Sequence, residues 1–141
     1  MSSENIIRYK NYLIPKDRKY TKTHEWLKIV EDSKARVGIT DYAQRKLKSI
    51  VYVEVPEIGK EYSKEEVITT VESVKAVGEV LAPVRCKVVK FNEELDENPG
   101  LINQDPYNRG WIVEVELKDE EEIKSLLEAE RYVNEVLKKE E

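Results

Sequence analysis

Apolar and polar residues alternate in short runs through most of the chain. The segments "EWLKIV" (25–30) and "ARVGIT" (35–40) flank a polar turn, and "IVYVEV" (50–55) carries a valine at every second position. Successive side chains of a strand point to opposite faces of a sheet. This spacing therefore predicts half-buried β-strands and, for the first two segments, a β-hairpin. The strand-like pattern continues as far as "GWIVEVEL" (110–117).

The period changes in two places. The segment "TDYAQRKLKS" (40–49) predicts a short internal helix that Thr40 can cap. Near the C-terminus, apolar residues fall at helical spacing between residues 123 and 137, after a capping-box-like start formed by Asp119 and Glu122. We therefore expect a mainly β body with one internal helix and one or two C-terminal helices packed on it.

Length and composition restrict the class of protein. The chain has 141 residues, enough for one domain, and we interpret residues 1–19 as an N-terminal extension to a domain that spans residues 20–141. A formal charge of −5 argues against nucleic-acid binding, which needs an excess of clustered Lys and Arg. No uninterrupted apolar run suggests a signal peptide or a membrane span, so a cytoplasmic protein without membrane contact is expected.

The chain has one cysteine, Cys86, and one histidine, His24. A disulfide framework needs two cysteines and a structural zinc site needs about four Cys or His ligands, so neither is expected. We interpret Cys86 as a small buried residue and His24 as an exposed or capping residue. Trp26 and Trp111 are expected in the core.

The stretch "TTVESVKAVGEV" (69–80) is rich in valine and strand-like, but its alternation breaks near Lys75. No Asn-Gly or Asp-Gly dipeptide marks a hairpin turn there. Lys75 can be a solvated charge on a strand, a site of covalent modification, or a Schiff-base lysine. The third role would need burial or a cationic neighbour.

The order and spacing of several motifs resemble those of the glycine cleavage system H proteins, a family of lipoyl carriers. The resemblance covers about residues 20–132. The matching segments are "YTKTHEWLKI", "VGITDYAQ", "IVYVEVPEIG", "ESVKAVGEVLAPV", "NPGLIN", "DPYNRGWIVEV" and "SLLEAERY".

This resemblance implies a flattened lipoyl/biotinyl-type β barrel (a barrel-sandwich hybrid) and a non-catalytic carrier. Lys75 would be joined through an amide to lipoic acid by a lipoate-attaching enzyme. The lipoyl group would take an aminomethyl group from glycine at glycine decarboxylase and deliver it to the aminomethyltransferase. Dihydrolipoamide dehydrogenase would then reoxidise it. An alternative within the same resemblance is an octanoyl or lipoyl carrier in lipoate assembly or relay.

The resemblance also implies roles for residues around the lysine. Glu72, Ser73, Val74 and Ala76 would form the context that the lipoate-attaching enzyme recognises. Glu25 would line a cleft for the aminomethylated arm, where a carboxylate can hold a protonated amine.

Two other classes of protein stay open at this point. An enzyme that uses Lys75 or Cys86 covalently would turn over without any partner. A biotin carrier is disfavoured, because that family usually places methionines beside its lysine, whereas Val74 and Ala76 stand here.

Overall fold

The computed structural model describes residues 5–140. It is mainly β, with antiparallel pairing between all neighbouring strands. The strands are β1 (Ile6–Tyr9), β2 (Tyr12–Pro15), β3 (Lys19–Tyr20), β4 (Glu25–Glu31), β5 (Lys34–Ile39), β6 (Ile50–Val53), β7 (Glu61–Tyr62), β8 (Val67–Ser73), β9 (Val77–Leu81), β10 (Cys86–Phe91) and β11 (Val113–Leu117).

Short α-helices and 3-10 helices lie between and after these strands. The α-helices are α1 (Asp41–Leu47), α2 (Glu94–Glu97), α3 (Leu101–Gln104) and α4 (Ala129–Glu135), and the 3-10 helices span Glu120–Ser125 and Leu137–Lys139. The predicted internal helix is confirmed as α1. Its cap is Thr40, whose hydroxyl accepts a hydrogen bond from the backbone N–H of Ala43.

The strands form three sheets. The largest has the order β3-β4-β5-β11-β10-β7, a second has the order β6-β8-β9, and the third is formed by β1 and β2. One apolar core lies between the two larger sheets, and a second, aromatic core lies beneath the β1–β2 hairpin and α4. The predicted fold class, a flattened lipoyl-type β domain, is confirmed, although backbone hydrogen bonds do not close the sheets into one barrel.

The β1–β2 hairpin packs closely on the rest of the chain. Ile14 is fully buried in the aromatic core. The backbone carbonyl of Leu13 accepts a hydrogen bond of 2.6 Å from the Tyr107 hydroxyl, and its N–H donates one of 3.0 Å to Asp41 Oδ2. Residues 5–15 are therefore packed against the domain, while the boundary proposed at residue 20 stays a prediction.

The C-terminal segment differs in detail from its pattern. Residues that were expected to begin an amphipathic α-helix form the 3-10 helix Glu120–Ser125, and Asp119 caps the N–H of Glu121. Leu127 instead forms a β-bridge, because its N–H and carbonyl both pair with Tyr20, at 2.9 and 2.8 Å. That pairing needs extended backbone, so the α-helix begins only at Ala129.

Strand β6 does not keep the simple alternation of its valines. A register irregularity in its pairing with β8 falls between Ile50 and Tyr52. Such a bulge places one extra residue on one strand, so that neighbouring side chains no longer alternate between faces. Ile50 and Val53 are buried, whereas Val51 and Tyr52 are both exposed. The alternation of valines therefore predicts a buried Val51, and this prediction is wrong.

Within residues 5–140, no helix is both long and apolar enough to cross a membrane.

Candidate functional site

Lys75 lies in the turn of the β8–β9 hairpin, at the end of the three-stranded sheet. The last ladder pair is Glu72 with Val77, and the N–H of Ser73 donates to the carbonyl of Ala76 across the turn, at 2.8 Å. Residues 74–76, called here the hairpin tip, are all exposed. The four neighbours of Lys75 that were named from the sequence therefore all lie in this turn or at the end of β8.

The side chain of Ser73 stabilises this turn, which has no Asn-Gly dipeptide. Its hydroxyl oxygen accepts hydrogen bonds from the backbone N–H groups of Lys75 and Ala76, at 3.1 and 3.0 Å. Serine hydroxyls often stabilise turns by bonding backbone groups two or three residues further on. A single serine therefore orders this turn without a residue at positive φ in it.

The hairpin tip also contacts neighbouring elements. The N–H of Val74 donates to the carbonyl of Ser49, just before β6, at 3.0 Å. The amine of Lys75 donates to the carbonyl of Lys46 in α1, at 3.3 Å. The lysine therefore stands on a supported turn while its side chain stays exposed.

A cavity of about 150 Å³ lies beside the hairpin, between α1 and the inner side of strands β8 and β9. Gly78 keeps it open on one side, because a Cβ there would lie only 3.1 Å from Leu47 Cδ1. The apolar side chains that line it are those of Ile39, Ala43, Leu47, Val71 and Val80, and the polar residues are Thr23, His24 and Glu79.

Glu25 is buried and fully engaged in hydrogen bonds. Its Oε1 accepts from the hydroxyls of Thr21 and Thr23, both at 2.5 Å, and its Oε2 accepts from the N–H of Leu81 at 3.2 Å. Burial raises the pKa of this carboxyl above its ordinary value, and the hydrogen bonds oppose that rise. Burial therefore favours the protonated form of Glu25, and its three hydrogen-bond donors favour the carboxylate.

Glu25 does not line the cavity beside the hairpin. It lies in the wall of another cavity, of about 340 Å³, together with Lys64, Pro83 and Leu126. Thr23 lines both cavities, and its hydroxyl donates to Glu25. Glu25 therefore contacts the lysine hairpin in two ways, through Thr23 beside the cavity and directly through the N–H of Leu81 at the end of β9. The sequence does not reveal either relation.

His24 is a cavity residue that sequence reasoning placed wrongly. The interpretation of an exposed or capping residue is wrong, because only 14% of its side chain is accessible. Its Nδ1 shares a hydrogen bond of 2.6 Å with the Tyr132 hydroxyl, and its Nε2 lies 2.5 Å from the carboxylate of Glu140. Burial lowers the pKa of His24, and Glu140 acts in the opposite direction. Its contacts come from the other end of the chain, so no local signal could have found them.

The remaining predictions concern core residues. Cys86 is fully buried, as expected, and burial raises the pKa of its thiol to about 12. A buried, protonated thiol is unreactive. Trp26 is in the aromatic core, and Trp111 packs at its edge, half-buried, with the Arg36 guanidinium 4.3 Å from its ring.

A flattened β fold with a lysine at the tip of a hairpin is the architecture of a lipoyl-type domain. Residues 18–140 match the model of the family described as "Glycine cleavage H-protein". The chain belongs to this family of glycine cleavage H-proteins.

Similar proteins support this membership. A protein of Pyrococcus horikoshii named "Probable glycine cleavage system H protein" is 50% identical over 128 residues, which cover 90% of this chain and 95% of that one. The "Glycine cleavage system H protein" of Thermotoga maritima is 50% identical over 117 residues, covering 83% and 94%. The crystal structure of a glycine cleavage system H protein from Mycobacterium marinum has a TM-score of 0.79 at 36% identity, covering 86% of this chain and 98% of that one.

Proposed function

We propose that this protein is the lipoyl carrier of a glycine cleavage system and that Lys75 is its attachment site. The observation that carries the proposal is the exposed amine of Lys75 at the tip of a supported hairpin, in a chain that belongs to the H-protein family. The protein is a non-catalytic carrier. Its partners are glycine decarboxylase, the aminomethyltransferase, dihydrolipoamide dehydrogenase and a lipoate-attaching enzyme.

The lipoyl group, when bound, supplies a dithiolane that takes up the aminomethyl group of glycine and releases it for transfer to tetrahydrofolate. The chain supplies placement, which is the usual division of labour between a protein and its cofactor. Tethering on Lys75 keeps the reacting group at high local concentration near each partner enzyme without tight binding.

The residues around Lys75 fit such a group. The amine is exposed at a hairpin end, where an arm of roughly 14 Å, by standard bond lengths, can extend into solvent. The cavity of about 150 Å³ beside the hairpin has apolar walls that match an aliphatic chain and polar residues at Thr23, His24 and Glu79. Ser73 orders the turn from which the arm projects.

Glu25 has a positioning role in this proposal. Its carboxylate accepts the hydroxyl proton of Thr23, which lines the cavity beside the hairpin. The buried negative charge also makes this region favourable for a protonated amine carried on the arm. Shelter of that amine from water would slow its premature loss.

Glu72, Ser73, Val74 and Ala76 form the recognition context for the lipoate-attaching enzyme. They are the residues nearest to Lys75 in the chain, and three of them are exposed. Ser73 contributes chiefly through the shape of the turn, whereas Glu72, Val74 and Ala76 offer side chains that an enzyme can contact.

The other classes of function are less well supported. Covalent catalysis by Cys86 conflicts with its buried, protonated thiol. Lys75 lies exposed, without the burial that activates a Schiff-base lysine. A role in lipoate relay is not favoured, since the similar proteins carry the name of the glycine cleavage system. The cytoplasmic location stays a prediction that cell fractionation can test.

The test is the intact mass of the protein purified from its own cells, with Lys75→Arg as the control. We expect a lipoyl group on the wild type, localised to Lys75 by fragmentation, and none on the variant. An unmodified Lys75 in the native protein would reject the proposal. Reconstitution with glycine, glycine decarboxylase and aminomethyltransferase then distinguishes the carrier of glycine cleavage from a relay carrier, which would not support methylenetetrahydrofolate formation.

A further inference from the structure

Four large apolar side chains are exposed together at the end of the three-stranded sheet that carries Lys75. Val51, Tyr52, Val74 and Val77 are 53%, 51%, 70% and 60% accessible. We call these four residues the valine–tyrosine face. Contiguous exposed apolar residues rimmed by polar ones mark interaction sites on soluble proteins.

The sheet register makes the valine–tyrosine face continuous. Tyr52 pairs with Glu72 and Glu72 pairs with Val77, so these three side chains form one row across β6, β8 and β9. The hydrogen bond from Val74 N–H to the Ser49 carbonyl brings the start of β6 against the hairpin tip. The bulge in β6 is essential, because regular alternation would turn Val51 inward.

Acidic side chains border the valine–tyrosine face. Glu72 lies within the row described above. Glu54 lies opposite Thr70, two residue pairs from Tyr52, and its Oε2 accepts a hydrogen bond of 3.1 Å from the Thr70 hydroxyl. Both glutamates are exposed. Exposed lysines, Lys46, Lys48 and Lys75, lie on the hairpin-tip side. A complementary partner therefore has an apolar patch with Lys or Arg side chains opposite the two glutamates.

The length of the arm indicates which enzyme contacts this surface. Enzymes that act on the dithiolane meet a group roughly 14 Å from the lysine amine, so their reacting groups do not have to reach Nζ. An enzyme that attaches the group must bring its active site to Nζ itself. Its contacts therefore fall on the surface immediately around Lys75, which is the hairpin tip and the valine–tyrosine face.

We propose that the valine–tyrosine face is the docking surface of the lipoate-attaching enzyme, with β6 contributing as much as the hairpin. This inference rests on the proposed function. In the reaction, the amine of Lys75 attacks the acyl carbon of a lipoyl adenylate. An amide bond forms, AMP leaves with the electron pair of the broken acyl–phosphate bond, and the nitrogen releases a proton.

The chain offers a matched control for this surface. Val30 on β4 is also an exposed strand valine, 41% accessible, but it belongs to the six-stranded sheet and lies in the lining of a cavity with Trp111 and Arg109. Val51→Thr and Val30→Thr therefore make the same isosteric change on the two different sheets. Tyr52→Thr removes the largest side chain of the face and keeps a β-branched residue that favours strands.

The experiment uses full-length unmodified protein, a purified lipoate ligase, lipoate and ATP, with attachment followed by intact mass. We expect Tyr52→Thr to lower kcat/KM for attachment about tenfold and Val51→Thr about threefold, mainly through KM, as for central residues of an interface. Val30→Thr should match the wild type within about twofold, by the same reasoning. Circular dichroism and thermal unfolding of each variant establish that it is folded.

A second measurement tests whether the valine–tyrosine face contacts glycine decarboxylase instead of the lipoate-attaching enzyme. Each variant, once fully lipoylated, is assayed for the glycine decarboxylase exchange reaction, which should equal that of the wild type. Attachment at the wild-type rate by folded Tyr52→Thr and Val51→Thr overturns the inference but leaves the carrier function intact. Normal attachment together with an impaired glycine decarboxylase exchange reaction assigns the face to glycine decarboxylase. That outcome also overturns the inference. A wild-type Lys75 that is not modified in its own cells rejects the carrier function, and this inference with it.

Discussion

The Lys75 hairpin and the surroundings of Glu25 are built in opposite ways. Lys75 depends on its immediate neighbours in sequence, since Ser73 and Ala76 shape the turn that presents it. Glu25 depends on Thr21, Thr23 and, from a distant strand, Leu81. The lysine is exposed and the glutamate is almost inaccessible.

This difference explains what each region contributes to a carrier. An attachment point has to be reached by several enzymes, so it needs local order and exposure. A group that shelters a reactive amine needs low polarity and exclusion of water, which only packing of distant segments provides. Three predictions test whether the two regions differ as described, beginning with the largest effect.

The first prediction concerns stability. Glu25→Ala leaves two hydroxyls and the N–H of Leu81 without their buried acceptor, so we expect the free energy of unfolding to fall by about 2–4 kcal/mol. Glu72→Ala, on the exposed hairpin, should change it by less than about 0.5 kcal/mol. Urea unfolding followed by fluorescence measures both. Equal losses in the two variants would contradict the contrast between a packed and a local site.

The second prediction concerns pH. Burial raises the pKa of Glu25 in the folded protein above the value of about 4.3 that an unfolded chain has. Between these two pKa values the folded state binds more protons, so the carboxyl's contribution to stability is lost as pH rises through that window. Glu25→Gln has no such titration and should gain stability relative to the wild type across it, by about 1.4 kcal/mol per unit of pKa difference.

Urea unfolding of both proteins at several pH values from the acidic side of the window to neutrality measures this difference. The wild type carries the other titrating groups in common with Glu25→Gln, so they cancel in the comparison. A difference that stays constant would show that the pKa of Glu25 is the same in the folded and unfolded states, and one that shrinks as pH rises would show a pKa lowered by folding.

The third prediction concerns the turn. Ser73→Ala removes the oxygen that accepts from Lys75 and Ala76 N–H. Because water can reach this turn, we expect the unfolding free energy to fall by only about 0.5–1 kcal/mol. Amide exchange at Lys75 and Ala76 should accelerate, and attachment should slow. Ser73→Thr keeps a hydroxyl and should restore both. Unchanged amide exchange in Ser73→Ala would show that the Ser73 hydroxyl does not stabilise the turn.

Local pattern predicted the elements that local chemistry controls. The cap at Thr40 marked the start of α1, and the alternation around residues 25–40 marked the hairpin of β4 and β5. The local pattern failed where contacts with distant residues override local conformational preference. Leu127 falls at helical spacing but pairs as a β-bridge with Tyr20, and His24 is covered by Tyr132 and Glu140.

The sequence by itself determined the β-rich class, the internal helix, the likeness to H-proteins and the lysine at the centre of the proposal. Each of these depends on spacing or on a contiguous motif. Only the tertiary structure decided that Val51 and Tyr52 face outward together and that Thr23 links Glu25 to the cavity. A bulge and a cavity depend on which segments pack against one another, and the period of a single strand does not contain that information.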